Sequence, residues 1–242
     1  GVSILHPRYP VIPKFNVGMN VSPLLMARAL KPVLKKMIAD GFDFDVIDCH
    51  YYFPDGVAAA LLGKWLNKPV VITARGSDLS LLPDYPVPRR WILWAEKRAA
   101  ASVTVCAALR DRLIELGGDP EHCHVLANGV DLQVFNSVPP VQRKLLRAEL
   151  GFTRRTLLQV GNLIELKGQH ISIAALADMP DTDLVLVGRG VERETLERLA
   201  ASLNVADRVR FVGAIPHADI QRYMNAADVL LLPSSREGLA NV

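Results

Sequence analysis

The stretch DVIDCHYYFPDGVAAALLGKWLNKPVVIT, residues 45–73, places a short run, Asp45-Val46-Ile47-Asp48-Cys49, before an alanine- and leucine-rich segment at 57–66 and a second run, Val70-Val71-Ile72-Thr73. β-Branched runs favour strands and the middle segment is made of helix formers. Strand, helix, strand in that order is a βαβ unit, whose crossover makes the two strands parallel. The pattern continues outward: a helix over 89–100, a strand over 102–105, a helix over 107–116 and a short strand near 124–126. Residues 135–141 then bring Asn136, Ser137, Pro139 and Pro140, which read as a linker because proline removes a donor and fixes φ. Beyond a helix over 142–150, a second series follows: strands at 156–160, 183–187, 209–212 and 228–232, with helices at 168–177, 191–203 and 218–226. The expectation is an α/β protein of two doubly wound parallel-sheet domains, 1–138 and 139–242. No repeat period joins the two series, which excludes a solenoid. Residues 1–14 hold one short apolar run before H-P-R-Y-P-V-I-P, without the glycine-rich turn that opens such a domain. With the last strand followed by only a few residues, the expectation is a chain truncated at both ends, both domains incomplete.

Composition narrows the class. Half of the 242 residues are hydrophobic, ample for one large core or two modest ones. Lys and Arg number 28 against 25 Asp and Glu, and the resulting +3 is dispersed, which is not the footprint of a nucleic-acid binder. Cys49, Cys106 and Cys123 are odd in number and set among apolar residues, so buried thiols in a reducing compartment are expected and the cytoplasm is the default location. No apolar run approaches the roughly 18 residues of a membrane span. Arg89-Arg90-Trp91-Ile92-Leu93-Trp94 suits either contact with the inner face of a membrane or a core-facing helix with a charged outer side, and the second is the better reading. His122-Cys123-His124 has metal-capable atoms, but a strand alternates them between faces and no second ligand pair follows, so no zinc site is expected.

Open α/β sheets bind ligands beyond the carboxyl ends of their strands, which directs attention to the loops there. After Val160 comes G-N-L-I-E-L-K-G, with Gly161 and Asn162 at the strand exit and Lys167-Gly168 at the next helix start. An ammonium beside a helix N-terminus suits a diphosphate. After Val187, Gly188-Arg189-Gly190 combines close backbone approach with a guanidinium, though such a pair is also an ordinary tight turn. After the last strand, Glu237 can accept sugar hydroxyls while the amides beyond Gly238 face an anion; a carboxylate complementing a helix dipole is the plainer alternative. In the first series, one strand delivers His50 and the next delivers Arg75-Gly76-Ser77-Asp78, so a histidine, a guanidinium and a carboxylate share a rim.

Taken in order, these segments resemble the family-four glycosyltransferases, the retaining group with the GT-B fold of two facing Rossmann-like domains. The resemblance rests on residues 45–56 and 68–78, on V-L-A-N-G-V-D-L-Q-V-F (125–135), on residues 161–168, on V-R-F-V-G-A-I-P-H (209–217) and on A-A-D-V-L-L-L-P-S-S-R-E-G-L-A-N-V (226–242). It implies an acceptor-side first domain and a second domain that binds a nucleotide diphosphate sugar, UDP- or GDP-linked. Lys167 would stabilise the leaving diphosphate, with Gly161, Asn162, Gly188, Arg189 and Gly190 around it. Glu237 would orient the donor sugar beside the amides of Gly238, Leu239 and Ala240. Ile215, Pro216 and His217 would line the base pocket, and His50 and Asp78 would face the acceptor and the reacting sugar. The family pattern places a second glutamate after seven intervening residues, beyond Val242. Two positions depart from that pattern: Asn162 where arginine is common, and Arg75-Gly76 where His-Gly is common.

The implied reaction transfers a sugar to a hydroxyl of a glycan or lipid-linked acceptor, with retention and with no protein base, because the donor's phosphate assists deprotonation. No cofactor and no divalent metal are expected, since no Asp-x-Asp pair stands at a strand end. Two alternatives stay open: a sugar-nucleotide epimerase of the same architecture, and a non-catalytic nucleotide-binding fragment.

Overall fold

A computed structural model describes residues 3–12 and 15–242. It divides into two compact units, Gly1–Asn128 with Glu237–Asn241, and Gly129–Arg236 with Val242. The first contains α1 (Phe15–Ala39), β1 (Ile47–His50), α2 (Val57–Leu66), β2 (Val70–Ala74), α3 (Ser77–Ser80), α4 (Pro86–Glu96), β3 (Ala101–Thr104), α5 (Ala107–Glu115) and β4 (Cys123–Val125). Its four strands are parallel and run in the order β1-β2-β3-β4. Residues 3–12 are irregular, while positions 1, 2, 13 and 14 of the expected strandless opening lie outside the described residues. Among the described residues no helix is long and apolar enough to cross a membrane.

α1 has no counterpart among the expected elements. Pro23 and Pro32 argue against a helix by removing donors, yet Leu24, Ala27, Leu30 and Leu34 recur at helical spacing and pack against Ala58, Leu61 and Leu62 of α2. Burial of that stripe overrides local propensity. α4 buries Ile92 and Ala95 and leaves Arg89 and Arg90 exposed, the core-facing arrangement. Of the three cysteines only Cys123 is fully buried; Cys49 and Cys106 are half-buried at the sheet margin.

The second unit contains α6 (Pro140–Leu150), β5 (Arg155–Val160), α7 (Gln169–Leu176), β6 (Thr182–Val187), α8 (Arg193–Ser202), β7 (Val209–Gly213), α9 (His217–Ala226) and β8 (Val229–Leu230). Its parallel strands run in the order β7-β6-β5-β8. Successive residues of a strand point to opposite faces, and β5 shows the consequence. Leu157 joins a cluster with Leu184, Leu186, Ile173 and Leu196, under α7 and α8. Leu158 joins Val185, Val187, Leu146 and Ala226, under α6 and α9. Both faces are therefore apolar and each needs helices over it. The strand order reverses between β5 and β8, where the connection through α9 returns on the other face.

α6 and the end of α9 are held at one carboxylate. Asp228 accepts from Arg143 at 2.7 Å, from Arg147 at 3.0 Å and from the amide of Thr156 at 2.8 Å. The same guanidiniums donate to the carbonyls of Asn225, Ala226 and Ala227, the unsatisfied C-terminal end of α9. Burial raises the carboxyl of Asp228, but the Thr156 amide and the two arginines outweigh it and hold the group below the usual carboxylate range.

Replacing Asp228 with Asn leaves two guanidiniums and one amide short of an ionised acceptor, and, with water able to replace part of the loss at this partly exposed group, is expected to lower stability at pH 7 by about 0.5–1 kcal/mol. The depressed group contributes its stability above the unfolded carboxylate value of about 3.9 and loses it as pH falls through the lower folded value. Urea midpoints of the two proteins should therefore differ by a constant amount down to about pH 4 and converge below it.

Candidate active site

In the second unit, the loops after β5 and β8 leave their sheet on opposite sides of the strand-order reversal, the place where an open α/β sheet forms a crevice. The loop after β5 is held from below by two buried glutamines. Gln159, inside β5, donates to the carbonyl of Lys167 at 2.7 Å and accepts from Ser172 at 2.8 Å. Gln169, at the first position of α7, donates to the carbonyl of Asn162 at 2.9 Å. Both glutamines are almost fully inaccessible to solvent, so these bonds fix the loop's shape.

The loop after β8 closes onto this one. The amide of Ser235 donates to the carbonyl of Leu166 at 2.9 Å. Gly168 has φ +68, and a Cβ there would collide with the Pro233 carbonyl, so only glycine fits. On the other side, the amide of Leu163 bonds the Arg189 carbonyl at 3.0 Å, and a Cβ at Gly188 would collide with the carbonyl of Gly161. Gly161, Asn162, Lys167, Gly188, Arg189 and Gly190 thus belong to one packed layer of loops.

The methylene stem of Lys167 lies along Gly161, within about 4 Å of where a Cβ would stand. α7 has no side-chain cap at Gly168, and its bonding begins with Ile171 and Ser172, both donating to the Gly168 carbonyl. The amides of Gln169 and His170 are therefore the donors that the first turn leaves over. Further along the rim, Ile215 packs inward against the core of this unit, while Pro216 and His217 are exposed. His217 meets Phe135 edge-on, with ring centroids 5.0 Å apart.

In the first unit, His50 ends β1, exposed, with Nε2 3.4 Å from Asp48 Oδ2. Asp78 is placed otherwise than its sequence suggests: its carboxylate is completely buried. It accepts from the amides of Tyr52 at 2.9 Å, Gly76 at 2.7 Å and Arg75 at 3.1 Å. Burial raises the Asp78 carboxyl and these amides oppose the rise. Burial, helped by Asp55 and Asp48, pushes the Cys49 thiol up to about 12, so it stays protonated and is no nucleophile at neutral pH. Arg75 donates to Asn128 at 3.0 Å, and Asn128 donates to Asn241 at 2.7 Å. Glu237, Gly238, Leu239 and Ala240 group with this first unit, whereas Lys167 lies in the second. Among the described residues, no three His, Cys, Asp or Glu stand together as a metal site.

Gln159, Gln169, Tyr51 and Asn128 were not singled out by sequence reasoning. Gln159 carried a signal: it interrupts the apolar run Leu157-Leu158…Val160 in a sheet covered on both faces, where a polar residue must find partners. Tyr51 carried none, since its φ of +86 depends on the packing around it.

Comparison with known proteins agrees with the two-sheet α/β fold. The sequence model of Glycosyltransferase Family 4 matches residues 3–134, and that of Glycosyl transferases group 1 matches residues 142–242. A D-inositol 3-phosphate glycosyltransferase of Xylanimonas cellulosilytica is 32% identical over all of this chain and 62% of its own length. The enzyme of that name from Frankia alni is 31% identical over 82% of this chain and 54% of its own. The chain thus spans little more than half the length of these curated relatives. Among solved structures, Alr3699/HepE of Anabaena in complex with UDP is 26% identical, with a TM-score of 0.73 over 84% of this chain and 57% of that one. Sucrose-phosphate synthase of Thermosynechococcus elongatus reaches a TM-score of 0.76 at 21% identity, over 97% of this chain and 61% of that one, and shows the same fold. With one family model covering more than half of its residues and another the remainder of its α/β pattern, the chain belongs to glycosyltransferase family 4 and has the GT-B fold.

Proposed function

We propose that this protein is a retaining glycosyltransferase that moves a sugar from a nucleotide diphosphate sugar to a hydroxyl of a glycan or lipid-linked acceptor, in the assembly of a polysaccharide or related glycan. The observation that carries the reading is the loop after β5. Two buried glutamines fix its shape, and it brings the stem of Lys167 and the uncapped start of α7 to the strand-order reversal. Charge develops on the departing diphosphate, and donors held in place beforehand lower that barrier without reorganising. Lys167 and the amides of Gln169 and His170 are such donors. The complex of Anabaena HepE with UDP supports a nucleotide-sugar donor.

In this reading the second unit, from Gly129, binds the donor, and the first carries the acceptor side. Arg189 adds positive charge beside Lys167, Pro216 and His217 border the base, Glu237 orients the donor sugar, and His50 faces the acceptor. No divalent metal takes part, so turnover should persist in excess EDTA. The reaction belongs in the cytoplasm, and a lipid-borne acceptor would bring the protein to the inner face of the membrane.

Thermal unfolding in the presence of UDP, GDP and ADP tests the donor half directly. A nucleotide at 100 times its Kd adds about 2.7 kcal/mol of stability. One nucleotide should raise Tm, and Lys167→Ala should abolish the rise; a uniform lack of response to all three would remove nucleotide binding from the reading. With the matching sugar nucleotide, Lys167→Ala should lower kcat/KM by about two to three powers of ten. A loss of less than about threefold would take Lys167 out of the mechanism. Glu237→Ala should weaken discrimination among donor sugars while the bare nucleotide diphosphate still binds, and equal loss of bare-nucleotide affinity would contradict its role. Release of an epimerised sugar nucleotide without acceptor would mark the protein as an epimerase instead.

A further inference from the structure

The structure assigns Asp78 a role as a positioning residue: from inside the first unit its carboxylate ties the loop after β1 to the loop after β2, and so holds His50 and Arg75 in register on one rim. The inference rests on the transferase reading above.

β1 and β2 pair with His50 opposite Thr73, and the ladder runs one step further, Tyr51 donating to the carbonyl of Thr73 at 2.8 Å. There the chain turns sharply, Tyr51 taking φ +86, a region that a tyrosine adopts only when its surroundings impose it. The turn sends the Tyr52 ring into the core, where its hydroxyl meets Ser102, and leaves the Tyr52 amide in the interior without a ladder partner. Oδ2 of Asp78 accepts that amide at 2.9 Å. Oδ1 accepts the amide of Gly76 at 2.7 Å, and the Arg75 amide lies between the two oxygens at 3.1 and 3.2 Å. Oδ2 therefore reaches the loop after β1 and Oδ1 the loop after β2, with the Arg75 amide shared between them. A second tie joins the same loops at the surface, Tyr51 Oη to Ser77 Oγ at 2.6 Å.

The loop held in this way also seats other groups of the rim. Gly238 packs on it so closely that an added Cβ would stand 2.8 Å from the Arg75 carbonyl, and Arg75 reaches Asn128. Asp78, completely buried, cannot touch substrate; it acts through the backbone beside His50 and at Arg75. A carboxylate is required because its two oxygens can accept from two loops at once, whereas a carboxamide has one acceptor oxygen and presents its NH₂ to the other amide.

Asp78→Asn is thus a near-isosteric cut of the link. Wild type and variant are compared for hydrolysis of UDP-glucose, GDP-mannose and ADP-glucose without acceptor, and for hydrogen exchange at the amides of Tyr52, Arg75 and Gly76. The expected result is a kcat lower by about tenfold or more with KM for the sugar nucleotide within about twofold, together with exchange at least about tenfold faster at Tyr52 or Gly76. A kcat within about twofold of wild type, or unchanged exchange at all three amides, overturns the proposal. Should Asp78→Asn fail to fold, Tyr51→Phe cuts the second tie between the loops and is expected to lower kcat in the same sense, an unchanged kcat counting against the role. If wild type turns over none of the three sugar nucleotides, the transferase reading fails, while the exchange measurement still decides whether Asp78 holds the two loops.

Discussion

β5 has apolar side chains on both faces, and the second unit follows from having to cover them. Leu157 and Leu158 point to opposite sides and each is buried in a separate cluster. Helices must therefore lie over both faces of the sheet, α7 and α8 over one, α6 and α9 over the other. A chain that winds in one direction and then returns on the other face reverses its strand order, and the reversal parts the loops after β5 and β8. The place where a ligand can enter thus results from burying leucine and valine, before any polar residue is considered.

Polar side chains then determine what shape the loops take. Each strand exit leaves backbone donors and acceptors that cannot continue the ladder and cannot be buried unpaired. Gln159 and Gln169 take up the carbonyls of Lys167 and Asn162, and Asp78 takes up three amides of the first unit. All three are buried, and each ties a strand-exit loop to the element beside it. Exposed, chemically versatile groups such as His50, Arg189 and His217 sit at the rims of the frame that these buried groups hold.

Much of this was legible in the order of residues. The alternation of strand and helix is carried by local composition, so the helix at 57–66 was placed on its observed bounds and most strands within one or two residues. The loop G-N-L-I-E-L-K-G stood out because a glycine at a strand exit and Lys-Gly before a helix are both local signals. α1 was not legible: its two prolines contradict its apolar stripe, and only packing against α2 decides between them. β8 came out shorter than its apolar run suggests, because just two of its residues pair with β5.

Asp78 divides the two kinds of information most clearly. Its position after a β-strand, beside Arg75 and Gly76, marked a candidate rim, since strand exits in parallel sheets point the same way whatever the side chains. Which way its carboxylate turns depended on the Tyr52 amide, 26 residues away in sequence and brought near only by the pairing of β1 with β2. Periodicity, turn residues and motif spacing depend on neighbours along the chain, and they are enough to name most of the elements and the family. Burial, positive φ at Tyr51 and the sharing of one carboxylate between two loops depend on neighbours in space, and those exist only once the sheet has formed.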